Sequence, residues 1–166
     1  MPTTYEPIAT STFNNTFSTI SFTSIPSSYT DLRIVVCGNG ASVSGIGVTL
    51  NSLATNIYSF TELSGNGTTV DAYRLAPTNQ WYLNYATGEL RSTRPMMFTM
   101  DLLSYTSSRN KSAIFTMAMD YNNPGWSSIK TAMAQTTAAI TSIQIAATSG
   151  INWNVGRATL YGILRA

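Results

Sequence analysis

The chain has seven carboxylates, one thiol and no histidine, and that inventory limits the chemistry open to it. Without histidine there is no Ser-His-Asp or Cys-His arrangement, and the commonest general base and metal ligand are both missing. Cys37 stands in the apolar run RIVVCG with no basic neighbour to lower its pKa, which argues against a nucleophile. The run reads as a buried strand, with Cys37 a small core side chain that has no partner for a disulfide. A lone cysteine also fits synthesis in a reducing cytosol. Zinc needs cysteine and histidine at set spacings, and neither is supplied.

Paired carboxylates remain a route to glycoside hydrolysis. The acids are Glu6, Asp31, Glu62, Asp71, Glu89, Asp101 and Asp120. Asp101 and Asp120 fall in neighbouring predicted strands, but a strand-end acid bonded to backbone or arginine is the stronger reading for each. Asp120, Asn122 and Asn123 offer oxygens in a short span, too few for a calcium loop. The glycine-rich GNGASVSG (38–45) follows a strand but lacks the Gly-Lys-Ser/Thr of a phosphate loop, so it reads as a hairpin turn. The chain is therefore read as a non-enzyme with no cofactor and no metal.

The nine basic residues are scattered, with only Arg91–Arg94 and Arg109–Lys111 close together. Nucleic acid requires a clustered basic face, so direct nucleic-acid binding is not expected. There is no apolar run long enough to span a membrane and no signal-peptide pattern at the start, so a soluble protein without a membrane partner is expected. The remaining resource is aromatic: nine Tyr, six Phe and three Trp. Trp81 and Trp153 lie within alternating strands and read as core. Trp126, beside Pro124-Gly125, is equally suited to an exposed contact, on a partner protein or a sugar.

The elements that must position these groups are strands. Charged residues are only 10% against 43% hydrophobic, and Ser, Thr and Asn fill the polar positions, favouring strands and turns. Apolar residues alternate in TISFTSI, DLRIVVCG, GIGVTLN, VDAYRL, QWYLNY, MFTMDLLSY, SAIFTMAMDY, SSIKTAMAQ, ITSIQIAA and RATLYGIL. In DLRIVVCG both alternating sets are largely apolar, which predicts a strand covered on both faces. Asn39-Gly40, Asn66-Gly67, Thr87-Gly88, Pro124-Gly125 and Ser149-Gly150 mark reversals. NSLATNIYSF is the best helix candidate, and its Asn, Ser and Thr make it a poor one. The pattern predicts a single all-β domain, an antiparallel β-sandwich or barrel. Residues 13–166 form that domain. Residues 1–12, with Pro2 and Pro7, form an extended N-terminal arm or edge strand, whose Tyr5 and Ile8 are placed to anchor on an adjacent subunit.

PIATST, ISFTSIPSSYTDLRIVV and TTAAITSIQIAATSGINWNVGRATLYGIL together resemble a group of small virion proteins of tailed bacteriophages. Members of that group open with an IAT strand, carry a SIPxxYTDL turn and close on a strand ending LYGI. SGINWNVG departs from the group's SGNF at one loop, and the middle of the chain matches in strand pattern only. The resemblance implies a β-sandwich of the jelly-roll kind and a structural role in the particle. A capsid decoration (cement) protein is the preferred role, because the chain is short and lacks the heptads or repeats of a fibre shaft. By analogy it implies a homotrimer bound to the major capsid protein on the capsid surface of the virion, made in the host cytoplasm. A tail or fibre component, or a receptor- or glycan-binding module, is the alternative.

Overall fold

A computed structural model describes residues 5–42, 44–83, 94–120 and 125–164, without the side chain of Asp120. Among the described residues there are twelve strands and no helix. They are β1 (Tyr5–Phe13), β2 (Thr19–Phe22), β3 (Asp31–Gly40), β4 (Ile46–Leu50), β5 (Tyr58–Gly65), β6 (Val70–Thr78), β7 (Trp81–Tyr82), β8 (Met96–Leu103), β9 (Lys111–Asp120), β10 (Gly125–Ala134), β11 (Ile143–Ala147) and β12 (Trp153–Ile163). All pairings are antiparallel. One sheet has the order β1-β12-β3-β8-β9-β10-β5-β6, the other β2-β11-β4-β7.

Eight of these strands make a jelly roll. Taken without β5, β6, β9 and β10, the chain folds as one long hairpin in which first pairs with last, β1 with β12, then β2 with β11, β3 with β8 and β4 with β7. Successive strands along each arm alternate between the two sheets, which is the double Greek key of that architecture. The other four strands are two hairpins, β5–β6 and β9–β10, inserted between jelly-roll strands. They join edge to edge and extend the first sheet to eight strands. The four-stranded sheet has no matching extension.

Alternation places the core. Leu32, Ile34 and Val36 of β3, Phe98, Met100 and Leu102 of β8 and Leu160 of β12 point inward and are buried. They meet Ile20, Phe22, Val48, Leu50, Ile143 and Ile145 from the four-stranded sheet. Trp81 and Trp153 are both fully buried, as the sequence predicts. Trp81 donates its indole N–H to the Met133 carbonyl at 3.0 Å and meets Tyr58 and Phe115 edge-on. Phe13 packs on Trp153 with its ring over Gly38 and Gly156, which face each other in register. A Cβ at Gly156 would stand 2.2 Å from the Cys37 carbonyl, so only glycine fits there.

Several expectations are corrected by the two-sheet arrangement. Cys37 is exposed, not buried, because β3 is covered on one face only. Val35 and Cys37 both lie on the open face of β3. Asn39-Gly40 is no hairpin turn. Both residues belong to β3, and the stretch to β4 crosses from one sheet to the other. Ser149-Gly150 does reverse the chain, with Gly150 at φ +68, but it too links strands of different sheets. Asn66-Gly67 is a true hairpin turn, closing β5 on β6 with Gly67 at φ +85. In NSLATNIYSF, Asn51 and Ser52 take positive φ and end β4. The Asn51 side-chain oxygen accepts from the N–H groups of Thr141 and Ser142, tying that turn to the lead-in of β11.

The predicted arm is an edge strand of this chain. β1 pairs with β12 from Tyr5 opposite Ile163 to Phe13 opposite Gly156, so a boundary after residue 12 would cut a continuous strand. Residues 1–4 lie outside the described residues, as do Thr87-Gly88, Glu89, Arg91, Pro124 and most of the span between β7 and β8.

Candidate contact face

The outward side of the eight-stranded sheet is the largest regular surface described, and its composition follows from the strand registers. One row of side chains crosses all eight strands: Thr10, Thr159, Val35, Thr99, Thr116, Ile129, Leu63 and Ala72. Hydroxyls of Thr10 and Thr159 bond at 3.2 Å, and those of Thr99 and Thr116 at 2.7 Å. The next row toward the β3 start holds Tyr161, Arg33, Asp101, Ile114, Thr131, Thr61 and Arg74. On the other side lie Arg157, Cys37, Met97, Ala118, Ser127, Gly65 and Val70.

The two ends of this face differ. Over β1, β12 and β3 the side chains are threonines, Tyr5, Tyr161, Val35, Cys37, Val155, Arg33 and Arg157. From β8 to β6 they include Met97, Leu103, Ile114, Ile129, Met133, Leu63 and Val70, all exposed. Seven large apolar side chains on five adjacent strands form a patch of the kind that marks a contact surface.

Charge on this face is sparse. Asp101 receives both Nε and a terminal nitrogen of Arg33, at 2.5 and 2.8 Å. This pair holds the guanidinium's pKa above its ordinary value. It is the arginine partner expected for a strand-end acid. Asp101 stands opposite Ile114, six residues from Asp120 along β9, or roughly 20 Å at the strand rise. The two acids therefore do not form a catalytic pair. The side chain of Asp120 and all of Tyr121, Asn122 and Asn123 lie outside the described residues. Among the described residues, no three His, Cys, Asp or Glu side chains gather as metal ligands.

Beneath the apolar patch, the inward side of the same strands holds charge. Lys130 of β10 is fully buried and sits 3.2 Å from Glu62 of β5. Its ammonium donates to the carbonyls of Tyr82 and Leu83 at 2.5 and 2.6 Å and lies 4.4 Å from the centre of the Phe60 ring. Burial pushes its pKa down to about 8, with Glu62 opposing the shift. Lys111 of β9 is buried too, donating to the carbonyls of Ser107 and Arg109, each at 2.6 Å. Lys130 ties β10 to the backbone at the end of β7, the outer strand of the four-stranded sheet, and Lys111 fastens the turn between β8 and β9. They are structural ties.

The residues singled out for contact do not converge. Tyr5 stacks on Tyr161 of its own chain, ring centres 4.7 Å apart, and keeps 40% of its surface exposed. Ile8 sits at the β1 bulge between Pro7 and Ala9, half-buried against the core of its own chain. That core already supplies the anchor the sequence assigned to a neighbour. Trp126 is half-buried at the start of β10 and lines a shallow apolar depression with Cys37, Met97, Ala118 and Met119. Between β1 and β10 there are five strand steps, roughly 24 Å, and Tyr5 and Trp126 lie toward opposite ends of the strands. Sequence reasoning missed Ile129, Met133, Leu63 and Ile114. Their only signal is alternation, which does not say which set faces out.

Fold and face together define an all-β protein: a jelly-roll sandwich with one sheet widened into a broad, nearly uncharged surface. No protein-family model matches the chain, and no curated protein matches it in sequence. Among solved structures it is similar to a galectin from Caenorhabditis elegans at 12% identity and a TM-score of 0.37, covering 91% of this chain and 94% of that one. It is also similar to a tetrameric galectin from the ball sponge Cinachyrella at 11% identity and a TM-score of 0.34, covering 89% and 99%. At these scores neither likeness bears on what the chain does.

Proposed function

We propose that this chain is a structural protein of a tailed-phage virion, in particular a decoration protein that binds the major capsid protein on the head surface and performs no reaction. The observation that carries a contact role is the apolar patch on the outer side of β8, β9, β10, β5 and β6. A sheet face that displays Ile129, Leu63, Met133 and Ile114 between threonines gains free energy by leaving water, at about 25 cal/mol per Å² of apolar surface. The virion assignment draws on the sequence resemblance of both chain ends to phage virion proteins.

As a decoration protein the chain would bind the mature lattice better than the immature one, and that difference stabilises the expanded shell by mass action. No residue need react. The alternative, a receptor- or glycan-binding module, relies on exposed aromatic rings backed by polar groups. Trp81 and Trp153 are unreachable in the core, so it would fall to Trp126, Tyr5 or Tyr73.

Cryo-EM of particles of the encoding phage tests the reading. Density for this fold over the head lattice supports it. Density at the tail tip, with glycan binding lost on Trp126→Ala, replaces it with the alternative.

A further inference from the structure

We propose that the apolar patch is a self-association surface, and that its occupant is a second copy of this chain packed face to face about a twofold axis running along β10. This rests on the reading of that face as a contact surface and names the partner.

The patch fixes the axis. The exposed apolar side chains begin on β8 and end on β6, and the middle strand of that set is β10. A twofold axis parallel to β10 lays β8 over the partner's β6 and β9 over its β5, while each row of side chains meets the same row of the other copy. Such a contact is isologous and closes on itself. Sheets stacked face to face keep their strands nearly aligned, so matches near the axis survive the sheet twist.

The registers then make the face complementary to itself. Ile129 and Met133 lie on the axis, each meeting its own copy. Thr116 lies over Leu63, and Met97 over Val70. Asp101 and Arg74 occupy the same row at equal distances on either side of β10, so each Asp101 meets the other copy's Arg74. Asp101 is already held by Arg33, and a carboxylate has acceptor sites for a second guanidinium. No like charges are brought opposite each other.

The area suffices. Five strands about 4.8 Å apart, with residues rising about 3.3 Å, give roughly 600 Å² per copy and about 1,200 Å² in all. That exceeds the ~1,000 Å² expected of a specific interface.

Sedimentation of the purified chain across a concentration series tests the proposal, with circular dichroism confirming that each variant folds. The expected result is a monomer–dimer equilibrium. Ile129→Lys, which puts two ammonium groups on the axis, weakens it by about tenfold or more. Arg74→Glu, which sets carboxylate against Asp101, weakens it by about tenfold. Arg157→Glu makes the same charge change on β12, outside the five strands, and leaves it unchanged. A chain that stays monomeric at every concentration overturns the proposal, as does a dimer that Ile129→Lys leaves intact. If the chain is monomeric and Ile129→Lys nevertheless abolishes binding to isolated phage heads, self-association falls and the contact reading stands.

Discussion

The two halves of the eight-stranded sheet differ in where they bury charge. In the jelly-roll half, β1, β12, β3 and β8, the inward side is almost wholly apolar and the outward side is mixed, with threonines, an arginine–aspartate pair and exposed Val155, Met97 and Leu103. In the added half, β9, β10, β5 and β6, Lys111, Lys130 and Glu62 are buried, while Ile114, Ile129, Met133 and Leu63 face solvent. The first half has a complete partner sheet and closes on itself. The second has only β7 and loops beneath it, so buried cations fasten that backbone, and its hydrophobic surplus faces outward. An outward hydrophobic surplus is a design for contact.

Removing the tie should show the largest effect. Lys130→Met leaves Glu62 buried without its cation and takes the ammonium from the Tyr82 and Leu83 carbonyls, at a cost of about 3–5 kcal/mol in urea unfolding. The double variant Lys130→Met/Glu62→Leu should recover much of that loss, because desolvating both charges is itself expensive. If the single variant is as stable as the native chain, the added half is held by apolar packing like the first, and the contrast fails.

The same tie should be visible in pH dependence. In the folded chain Lys130 titrates near 8 against 10.5 for the free side chain. Between those values the unfolded chain holds more protons, so the contribution of Lys130 to stability rises with pH from about 8 to 10.5. The span corresponds to about 3 kcal/mol. It should appear as a difference between the native chain and the Lys130→Met/Glu62→Leu variant.

Smaller effects belong to the first half's edge. Deleting residues 2–7 removes the Tyr5–Tyr161 stack and the start of the β1–β12 ladder. We expect a loss of about 1–2 kcal/mol by thermal or urea melting, because these contacts are within the chain. An unchanged melting temperature would mean that β1 frays in solution. Smallest is Ile129→Lys, an exposed strand position, expected to change stability by less than about 1 kcal/mol. A larger loss would show that the outer patch supports the fold of the single chain.

Much of this was readable from alternation. Ten of the twelve strands, the absence of helix among the described residues and the burial of Trp81 and Trp153 follow from period-2 patterning, and the jelly roll from the resemblance. β1 reads as an arm or edge strand, and β5 is missed because its first residues fall in NSLATNIYSF. What alternation does not say is which set points inward. In SSIKTAMAQ hydropathy alone would bury Ile129 and Met133 and expose Lys130, and the structure does the reverse. The reason is tertiary: the carbonyls of Tyr82 and Leu83 lie under β10 and accept from the ammonium. Cys37 was misread for a related reason, since a strand central in its sheet still has one face open when the second sheet lies on one side only. Tyr5 and Ile8 were recognised as anchors for an adjacent subunit, but Tyr5 stacks on Tyr161, 156 positions away, and Ile8 packs against the core of its own chain.

The pairing of first strand with last also sets an order in time. Tyr5 meets Ile163, so the ladder that closes the jelly roll waits on the most distant encounter in the described chain, and loop-closure entropy makes such encounters late and slow. The β5–β6 hairpin turns through only residues 66–69, and β9 and β10 are joined by 121–124, so both hairpins can zip locally within microseconds. Each hairpin of the half with the greasy outer face can therefore form while the jelly-roll ladder is still open, before β10 joins β5 across 62 to 76 positions. During that interval its Ile129 and Leu63 are uncovered in a chain that has not yet closed. Crowded synthesis is when the molecule is most prone to stick to its neighbours.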